Sequence, residues 1–320
     1  MLPFHEPVAA DFTRVNDQIV RELHSEVDLV ENIGHYIIEA GGKRLRPLLV
    51  LLTANCLEYS GHKHIKLAAI IEFIHTATLL HDDVVDVSNL RRGRATANAK
   101  WGNAPSVLVG DFLYSRAFQM LVQLGEMEIM RILSNTTNVI SEGEVQQLVN
   151  AKNPSVTQAN YFAVIYKKTA ALFEAAGAGA AVCAGAQSAE AQAAERFGRH
   201  LGIAFQLVDD VLDYDGEQAS LGKNIGDDLA EGKPTLPLIY AMEHAGAEEA
   251  DLIRHAIAGA DGSALNDVVA IVRNSGALAY TANCAAKEIA KAKQCLHALP
   301  ANRYRDAMSE LADFALARPF

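Results

Sequence analysis

One acidic pentapeptide occurs twice in this chain, and it constrains the fold more than any other feature. The copies are Asp-Asp-Val-Val-Asp at residues 82–86 and Asp-Asp-Val-Leu-Asp at residues 209–213, and each ends an apolar stretch typical of a buried helix. On a helix the first and last aspartates of each copy share one face, where like charges repel and burial adds a desolvation cost. We therefore expect a compensating cation, and the all-oxygen ligand set suits Mg²⁺.

Hydrophobic residues recur with a helical period along almost the whole chain, and no segment alternates as a strand does. Breaks occur at Gly41-Gly42, at residues 153–155 and across the glycine-rich segment 215–234. Between the breaks we predict helices at residues 12–33, from 46 onward, 65–87, 105–125, to about 149, 156–185 and 189–214. No proline- or serine-rich linker is present. The sequence predicts an all-α protein of ten or more helices in a single domain, residues 1–320.

Composition excludes several classes of function and location. A net charge of −11 argues against a nucleic-acid partner, because phosphate backbones require a basic face. Four cysteines without CxxC spacing indicate free thiols in a reducing cytosol, and the N-terminus lacks a signal peptide pattern. The longest uncharged stretch, residues 175–189, is rich in Ala and Gly and too short to span a membrane. We expect a cytoplasmic protein whose Gly177, Gly179 and Gly185 let helices approach closely, either in a bundle or at a subunit interface.

Cationic and hydrogen-bonding residues accompany the two aspartate motifs. They are Lys43, Arg46, His75, Arg91, Arg92, Lys168, Thr169, Gln206, Lys223 and Lys233. Taken singly, each has an ordinary explanation: a solvated loop, a core histidine, or a lysine that reaches the surface along its stem. Taken together with the carboxylates, they predict a site for two diphosphates, one bound through metal and one through Arg, Lys and His. Segment 215–234 is long for a loop, and its glycines and lysines predict a lid.

The sequence lacks the residues that several other kinds of enzyme chemistry require. Glu72 and His75 form one Glu-x-x-His unit, but a di-iron bundle needs a second, and the sequence has none. The chain also contains no P-loop, no dinucleotide-binding glycine motif after a strand, no HExxH and no GxSxG. Nucleotide hydrolysis, hydride transfer and serine or zinc hydrolysis are therefore disfavoured.

At this point the chain resembles the trans-polyprenyl diphosphate synthases. The matching stretches are residues 41–47, 71–86, 90–98, 168–169 with 172–173, 205–214, 222–228 and 232–235. The resemblance implies an isoprenoid synthase fold, a helical bundle around a deep central cavity, and a homodimer. It also implies Mg²⁺-dependent addition of isopentenyl diphosphate to an allylic diphosphate, of which farnesyl diphosphate is one, to make the side chain of respiratory quinones. The residues leave open which quinone, ubiquinone or menaquinone, receives the product.

The same resemblance assigns roles to the residues. Isopentenyl diphosphate would bind Lys43, Arg46, His75 and Arg92. The allylic diphosphate would bind Arg91, Lys168, Thr169, Gln206, Lys223 and Lys233. Mg²⁺ ions, usually three in the family, would bind Asp82, Asp86 and Asp209, with Asp83, Asp210 and Asp213 orienting ligands or waters.

Product length depends on the helix that precedes the first motif. Short-chain relatives place an aromatic plug about one turn before the aspartates, whereas this chain has Ala77 and Thr78 there. The next residues that can form a floor, unless they are ordinary core residues, are Phe118, Met120, Leu121, Met130 and Leu133. A helix of about 20 residues is about 30 Å long, which is enough to shelter a prenyl chain of about C40. We therefore expect a long-chain product.

Two other functions are alternatives to that of a synthase. A class I terpene cyclase ionises the same kind of substrate, but it needs no second diphosphate pocket, and its second metal motif usually differs from DDxxD. A non-catalytic modulatory subunit typically lacks one acidic cluster, whereas this chain has both. The paired motifs favour an active synthase.

Overall fold

The computed structural model describes residues 2–215, 226–260 and 262–317. Almost every described element is helical, which confirms the all-α prediction of ten or more helices. The helices are α1 (Ala9–Glu22), α2 (Asp28–Glu39), α3 (Leu45–Cys56), α4 (Lys63–Val85), α5 (Ala97–Trp101), α6 (Asn103–Leu124), α7 (Met127–Asn150), α8 (Gln158–Ile165), α9 (Ala171–Ala184), α10 (Ser188–Asp215), α11 (Asp227–Ala230), α12 (Leu236–His244), α13 (Ala247–Gly259), α14 (Leu265–Asn274), α15 (Ala277–Cys295) and α16 (Arg303–Leu316).

Shorter elements complete the described chain. Two two-residue strands, β1 (Leu90–Arg91) and β2 (Arg94–Ala95), form an antiparallel hairpin. A π-helical turn, Tyr166–Ala170, joins α8 to α9, and 3-10 turns occupy Pro3–Val8, Gly262–Ala264 and Leu296–Ala298. No helix in these described ranges is both long and apolar enough to cross a membrane.

The chain divides into two compact units. The first unit comprises the described residues up to 137 together with 172–198 and 293–312, and the second comprises those of 138–171 and 199–292 and those from 313 onward. In the first unit α4 packs against α1, α3 and, most extensively, α6. In the second unit Leu207, Val208 and Tyr214 of α10 pack into a buried cluster with α12, α13 and α14.

Two glycines of the first unit allow a close approach of helices: Gly177, for which the sequence predicts it, and Gly198, for which it does not. A Cβ atom added at Gly177 of α9 would lie 2.2 Å from the Ala194 carbonyl oxygen of α10, and one at Gly198 would lie 2.2 Å from the Phe173 carbonyl oxygen. The approach at Gly179 is looser, because an added Cβ would lie 3.1 Å from the Leu67 side chain of α4. Gly185 acts differently, because its φ of +64° ends α9 and a Cβ there would meet nothing.

Three predicted boundaries are wrong. The helix predicted at residues 12–33 is two helices, because the Glu31 carboxylate accepts hydrogen bonds from the Ser25 N–H and the His24 ring and so stabilises the break before α2. The helix predicted at 156–185 begins at Gln158 and contains the π-helical turn. Residues 90–95, where the sequence predicts no strand, form the β1–β2 hairpin, because Arg92 and Gly93 both have positive φ at its turn.

Candidate active site

The first aspartate motif lies at the C-terminal end of α4. The Asp86 N–H donates to the Asp82 carbonyl oxygen at 2.8 Å, so these two residues, four apart, remain within one helical turn. Both are half-buried. Val87, with φ of +53°, then ends the helical path. The predicted arrangement of the outer aspartates on one face is therefore present.

Side chains from neighbouring elements hold this helix end in place. The Asn98 amide donates to the carbonyl oxygens of Asp83 and Ser88, each at 3.1 Å. The Ser106 hydroxyl donates to the Leu80 carbonyl oxygen at 3.0 Å. The last carbonyl groups of a helix have no partner within the helix, so these bonds fix the direction in which the motif leaves α4.

Asp83 has a different environment from the outer aspartates. Its side chain is 1% exposed, and the Arg91 guanidinium donates to both of its oxygens, from Nη2 to Oδ1 at 2.7 Å and from Nε to Oδ1 at 2.9 Å and Oδ2 at 3.2 Å. Arg91 belongs to the β1–β2 hairpin, so the ion pair fastens that hairpin to the motif. The contact fits the orienting role predicted for Asp83, and it places the predicted diphosphate ligand Arg91 beside the first motif.

Replacing Arg91 with Ala is expected to lower the free energy of unfolding by about 3 kcal/mol, because Asp83 would remain as a buried charge without its partner. The measurement is urea denaturation of both proteins. Replacing Arg94, the other cation of the hairpin strands, with Ala should cost less than about 1 kcal/mol. Adding Asp83→Asn to Arg91→Ala should recover part of the loss, and a double variant as unstable as the single one would contradict this explanation.

A group of basic residues surrounds His75 in the first unit. Arg46 Nη1 lies 3.2 Å from His75 Nε2, and the Arg46 guanidinium stacks at 4.3 Å over the Phe173 ring. Burial, followed by the charges of Arg46 and Arg92, holds the pKa of His75 well below its usual value. His75 is therefore neutral at pH 7, and its Nε2 accepts from Arg46 because a guanidinium can only donate.

Arg92 and Arg44 complete this basic cluster. The Arg92 guanidinium lies so close to Gly42 that an added Cβ would be 2.6 Å from its Nη1, and the Gly42 φ of +146° also favours glycine. Arg44 Nε lies 3.9 Å from Glu72, whose pKa burial raises although Arg44 and Arg46 oppose the shift. More cations than carboxylates thus meet around Glu72 and His75, which favours an anionic ligand. Lys43, also predicted for this pocket, is exposed on the preceding loop.

The second aspartate motif lies near the end of α10, and hydrogen bonds hold its middle member. Asp210, 2% exposed, accepts from the Tyr161 hydroxyl and, at 2.8 Å, from the Gln206 amide. The Thr169 hydroxyl donates to Gln206 Oε1 at 2.9 Å. Three of the predicted residues, Thr169, Gln206 and Asp210, are therefore connected in one chain of hydrogen bonds. Asp210 accepts hydrogen bonds from neighbouring side chains, as Asp83 does from Arg91, and an orienting role for both stays a prediction.

A further carboxylate crowds this motif. The Asp228 N–H points to Asp213 Oδ2 at 3.4 Å. Burial, followed by the charges of Asp228 and Asp210, raises the pKa of Asp213 to about 9, and burial and Asp228 raise that of Asp210 as well. Carboxyl groups so close together favour a cation among them. Asp209, predicted to bind Mg²⁺, is half-buried on the same helical turn as Asp213.

The two motifs present only carboxylate oxygens, which is the donor set that Mg²⁺ prefers. Within the described ranges no three His, Cys, Asp or Glu side chains already form a metal cage. Mg²⁺ is commonly held by one or two carboxylates together with water and substrate phosphates. The residues present therefore fit the predicted metal.

The predicted lysines of the second unit contact carboxylates. Lys168 Nζ lies 2.6 Å from Glu144, and Lys233 forms an ion pair with Glu231. Lys168 and Thr169 belong to the π-helical turn, an irregularity that often accompanies functional residues. Thr169 of this turn is part of the Thr169–Asp210 chain of hydrogen bonds. Lys223 and residues 216–225, half of the predicted lid, lie outside the described residues.

The residues predicted to control product length lie on three helices. Ala77 is fully buried on α4, and the Thr78 hydroxyl donates to the His75 carbonyl oxygen at 2.8 Å. The others are the half-buried Phe118 and Met130 and the buried Met120, Leu121 and Leu133. A core role accounts for the burial of all of them, and a role in chain length stays a prediction.

Sequence reasoning missed several residues of the site. Asn98 and Asp228 lie within stretches that match the polyprenyl synthases, so the signal was present although no role was given. Glu72 was considered only as a metal ligand, whereas it lies among arginines. Tyr161 had no signal, because a buried aromatic in a helix is indistinguishable from core until its hydroxyl partner is known.

Comparisons with known proteins agree with this geometry. The Polyprenyl synthetase family model matches residues 27–274. The chain is 51% identical to octaprenyl diphosphate synthase of Haemophilus influenzae over 97% of this chain and 94% of the relative. It is 50% identical to the geranyl-diphosphate-specific all-trans-nonaprenyl-diphosphate synthase of Rhodobacter capsulatus, over 98% of this chain and 96% of that one.

A solved structure extends the agreement to the fold. The polyprenyl synthase of Caulobacter crescentus, complexed with calcium and isoprenyl diphosphate, superposes with a TM-score of 0.96 at 45% identity. The match covers 98% of this chain and 97% of that one. The fold is thus the all-α isoprenoid synthase fold, and the chain belongs to the polyprenyl synthetase family.

Proposed function

We propose that this chain is a long-chain all-trans-polyprenyl diphosphate synthase, a prenyltransferase that adds isopentenyl diphosphate units to an allylic diphosphate. The observation that supports it best is the pair of aspartate motifs, each near the end of a helix and each with a middle aspartate held by hydrogen bonds. The relatives named above as octaprenyl and nonaprenyl synthases support a product of about C40. The small residues of α4 that precede the first motif, Ala77 and Thr78, support it independently, because they leave room for a long chain. Quinone side chains are the proposed destination.

The first step is ionisation of the allylic C–O bond, which leaves a carbocation and a diphosphate with increased negative charge. Mg²⁺, of which we propose three ions, would be held by Asp82, Asp86 and Asp209 and would stabilise that charge. Asp83 and Asp210 act indirectly, because each is bound by neighbouring side chains and keeps its motif in position. Asp213 lies beside Asp210, and we propose that it orients metal-bound water.

The second substrate would bind the basic cluster around His75. Lys43, Arg46, His75 and Arg92 supply cations and hydrogen-bond donors for the diphosphate of isopentenyl diphosphate. The allylic diphosphate would contact Arg91, Lys168, Thr169, Gln206, Lys223 and Lys233. The double bond of isopentenyl diphosphate then attacks the allylic carbon, and the departing diphosphate accepts the proton that is lost.

One assay tests the function. Purified protein is incubated with radiolabelled isopentenyl diphosphate, farnesyl diphosphate and Mg²⁺, and the products are sized by chromatography. Chain elongation to a long prenyl diphosphate is expected. Conversion of farnesyl diphosphate to a hydrocarbon without incorporation of label would instead indicate a terpene cyclase, and no turnover would indicate a modulatory subunit.

Replacing Lys43 or His75 with Ala tests the assignment of the two pockets. Loss of a hydrogen bond to a charged group costs about 1.5–3 kcal/mol, so KM for isopentenyl diphosphate should rise roughly 10- to 100-fold. KM for the allylic substrate should change much less. Lys287→Ala, at an exposed position of α15, is the control and should change neither constant. Equal increases for both substrates would show that the pockets are wrongly assigned.

We also propose a homodimer in the cytoplasm. Val145, Leu148 and Val149 form an exposed apolar face on α7, each 62–73% exposed, and a second copy would cover it. Light scattering should give twice the mass of one chain, and Leu148→Glu should reduce it.

No disulfide joins the four cysteines, which agrees with a reducing compartment. Fractionation of cells tests the location.

A further inference from the structure

Arg44 lies between Lys43 and Arg46, two residues that are proposed to bind isopentenyl diphosphate. It is the N-cap of α3, and its carbonyl oxygen accepts a hydrogen bond from the Leu48 N–H at 3.0 Å. Its φ and ψ are both +45°, a left-handed conformation that residues other than Gly, Asn and Asp rarely adopt. Such conformations persist where surrounding contacts enforce them, and they concentrate at functional sites.

The Arg44 side chain contacts three different helices. Its Nη1 donates to the side-chain oxygen of Asn16 on α1, and its Nη2 donates to the Ile38 carbonyl oxygen of α2 at 3.4 Å. Its Nε lies 3.9 Å from a carboxylate oxygen of Glu72 on α4. The side chain is only 15% exposed. Each guanidinium nitrogen thus faces an acceptor of the protein, so the side chain fastens the start of α3 to its neighbours.

Arg46, two residues further along, is fastened to the same part of α4. Its Nη1 donates to His75 Nε2 at 3.2 Å. His75 follows Glu72 by three residues, so the two lie on one face of α4. The contacts of Arg44 and Arg46 therefore attach the start of α3 at neighbouring positions of one helix. Because Lys43 comes directly before Arg44, a change in the φ or ψ of Arg44 would turn Lys43 away from Arg46.

We propose that Arg44 is a positioning residue, which holds Lys43 and Arg46 in the arrangement that binds the diphosphate of isopentenyl diphosphate. The inference rests on the proposed function, since that function supplies the ligand. A loop already held in its binding conformation loses little freedom when the ligand binds, so the affinity is higher than for a loose loop. Arg44 acts through its two neighbours and does not itself contact the substrate.

Two variants test the proposal. Arg44→Gly keeps the left-handed backbone accessible and removes all three side-chain contacts, whereas Asn16→Ala removes one contact and leaves the loop sequence unchanged. KM for isopentenyl diphosphate should rise about tenfold in Arg44→Gly and about threefold in Asn16→Ala. The value of kcat and KM for the allylic substrate should change less than about twofold in both. Calorimetric titration with isopentenyl diphosphate alone should show the same weakening of Kd.

A matched control makes the same kind of backbone change elsewhere. Glu58, just beyond the other end of α3, is exposed and also has a left-handed backbone, with φ of +58°. Glu58→Gly should therefore change neither KM nor Kd. Thermal unfolding of Asn16→Ala should show a folded protein at the assay temperature, which keeps the test valid even where Arg44→Gly folds poorly.

Three results would overturn the proposal. They are an unchanged KM for isopentenyl diphosphate in Arg44→Gly, equal increases of KM for both substrates, and an effect of Arg44→Gly without any effect of Asn16→Ala. The last would mean that Arg44 contacts the substrate directly. Each of these results requires an active unaltered protein and contradicts the positioning role alone. An unaltered protein that incorporates no isopentenyl diphosphate would contradict the proposed function and this inference with it.

Discussion

Replacing Asp82 or Asp209 with Ala is expected to lower kcat by roughly 10²–10³-fold, the loss typical of removing one group that stabilises transition-state charge. Each residue is assigned to a metal that acts on the leaving diphosphate, so the loss falls on kcat more than on KM. Steady-state kinetics with saturating Mg²⁺ measures it. EDTA should abolish turnover of the unaltered protein, and added Mg²⁺ should restore it.

The control for these variants is Asp251→Ala, which removes an exposed carboxylate of α13 and should leave kcat unchanged. Thermal unfolding of Asp82→Ala should match that of the unaltered protein, because the outer aspartates are half-buried and removing one relieves repulsion. Full activity in EDTA would contradict the proposed metal-dependent mechanism. A large loss in the Asp251 variant would show that the assay reports general damage.

Much of the fold was predictable because it follows from helical periodicity and a few breaks. α4, α6 and α10 begin and end within about two residues of their predicted bounds, since each combines a long apolar pattern with Gly, Pro or Asp at its ends. The outer aspartates of the first motif share a turn as their spacing requires. Prediction of this kind works where one local rule decides the outcome.

The errors fall where longer-range contacts decide. The break between α1 and α2 depends on Glu31 reaching back to Ser25, a capping contact that the apolar pattern of residues 12–33 conceals. The π-helical turn at Tyr166–Ala170 leaves no mark on hydrophobic periodicity. The hairpin around Arg92 is too short to show alternation, and its pairing becomes visible only with the Arg91–Asp83 contact.

In the candidate site, too, local features were predictable from the sequence and long-range contacts were not. Residue types and spacing indicated which side chains carry charge, but they could not indicate which charges neutralise one another. Arg91 was expected at a substrate and binds Asp83. Asp228 was given no role, whereas burial and, after it, the charge of Asp228 raise the pKa of Asp213. His75 was expected to bind an anion and is neutral, because burial and, after it, the arginines beside it oppose its protonation.

Replacing Ala77 with Tyr should shorten the product sharply. Ala77 is fully buried on α4, about one turn before the first aspartates, and a ring there would stand in the proposed path of the growing chain. With a plug about 5–8 Å below the aspartates, product should fall from about C40 to about C15–C20. The aspartates and the basic cluster are untouched, so isopentenyl diphosphate should still be consumed. Chromatographic sizing of the products is the measurement.

Two controls separate a blocked channel from a damaged fold. Ala77→Ser keeps a small side chain and should retain long product. Overpacking a core costs about 1–3 kcal/mol, so a thermal melt of Ala77→Tyr must show a folded protein at the assay temperature. The Tyr variant should also use geranyl diphosphate better than farnesyl diphosphate, because the shorter primer ends above the ring. A folded Ala77→Tyr protein that still makes product of unchanged length would mean that the chain grows along a different path.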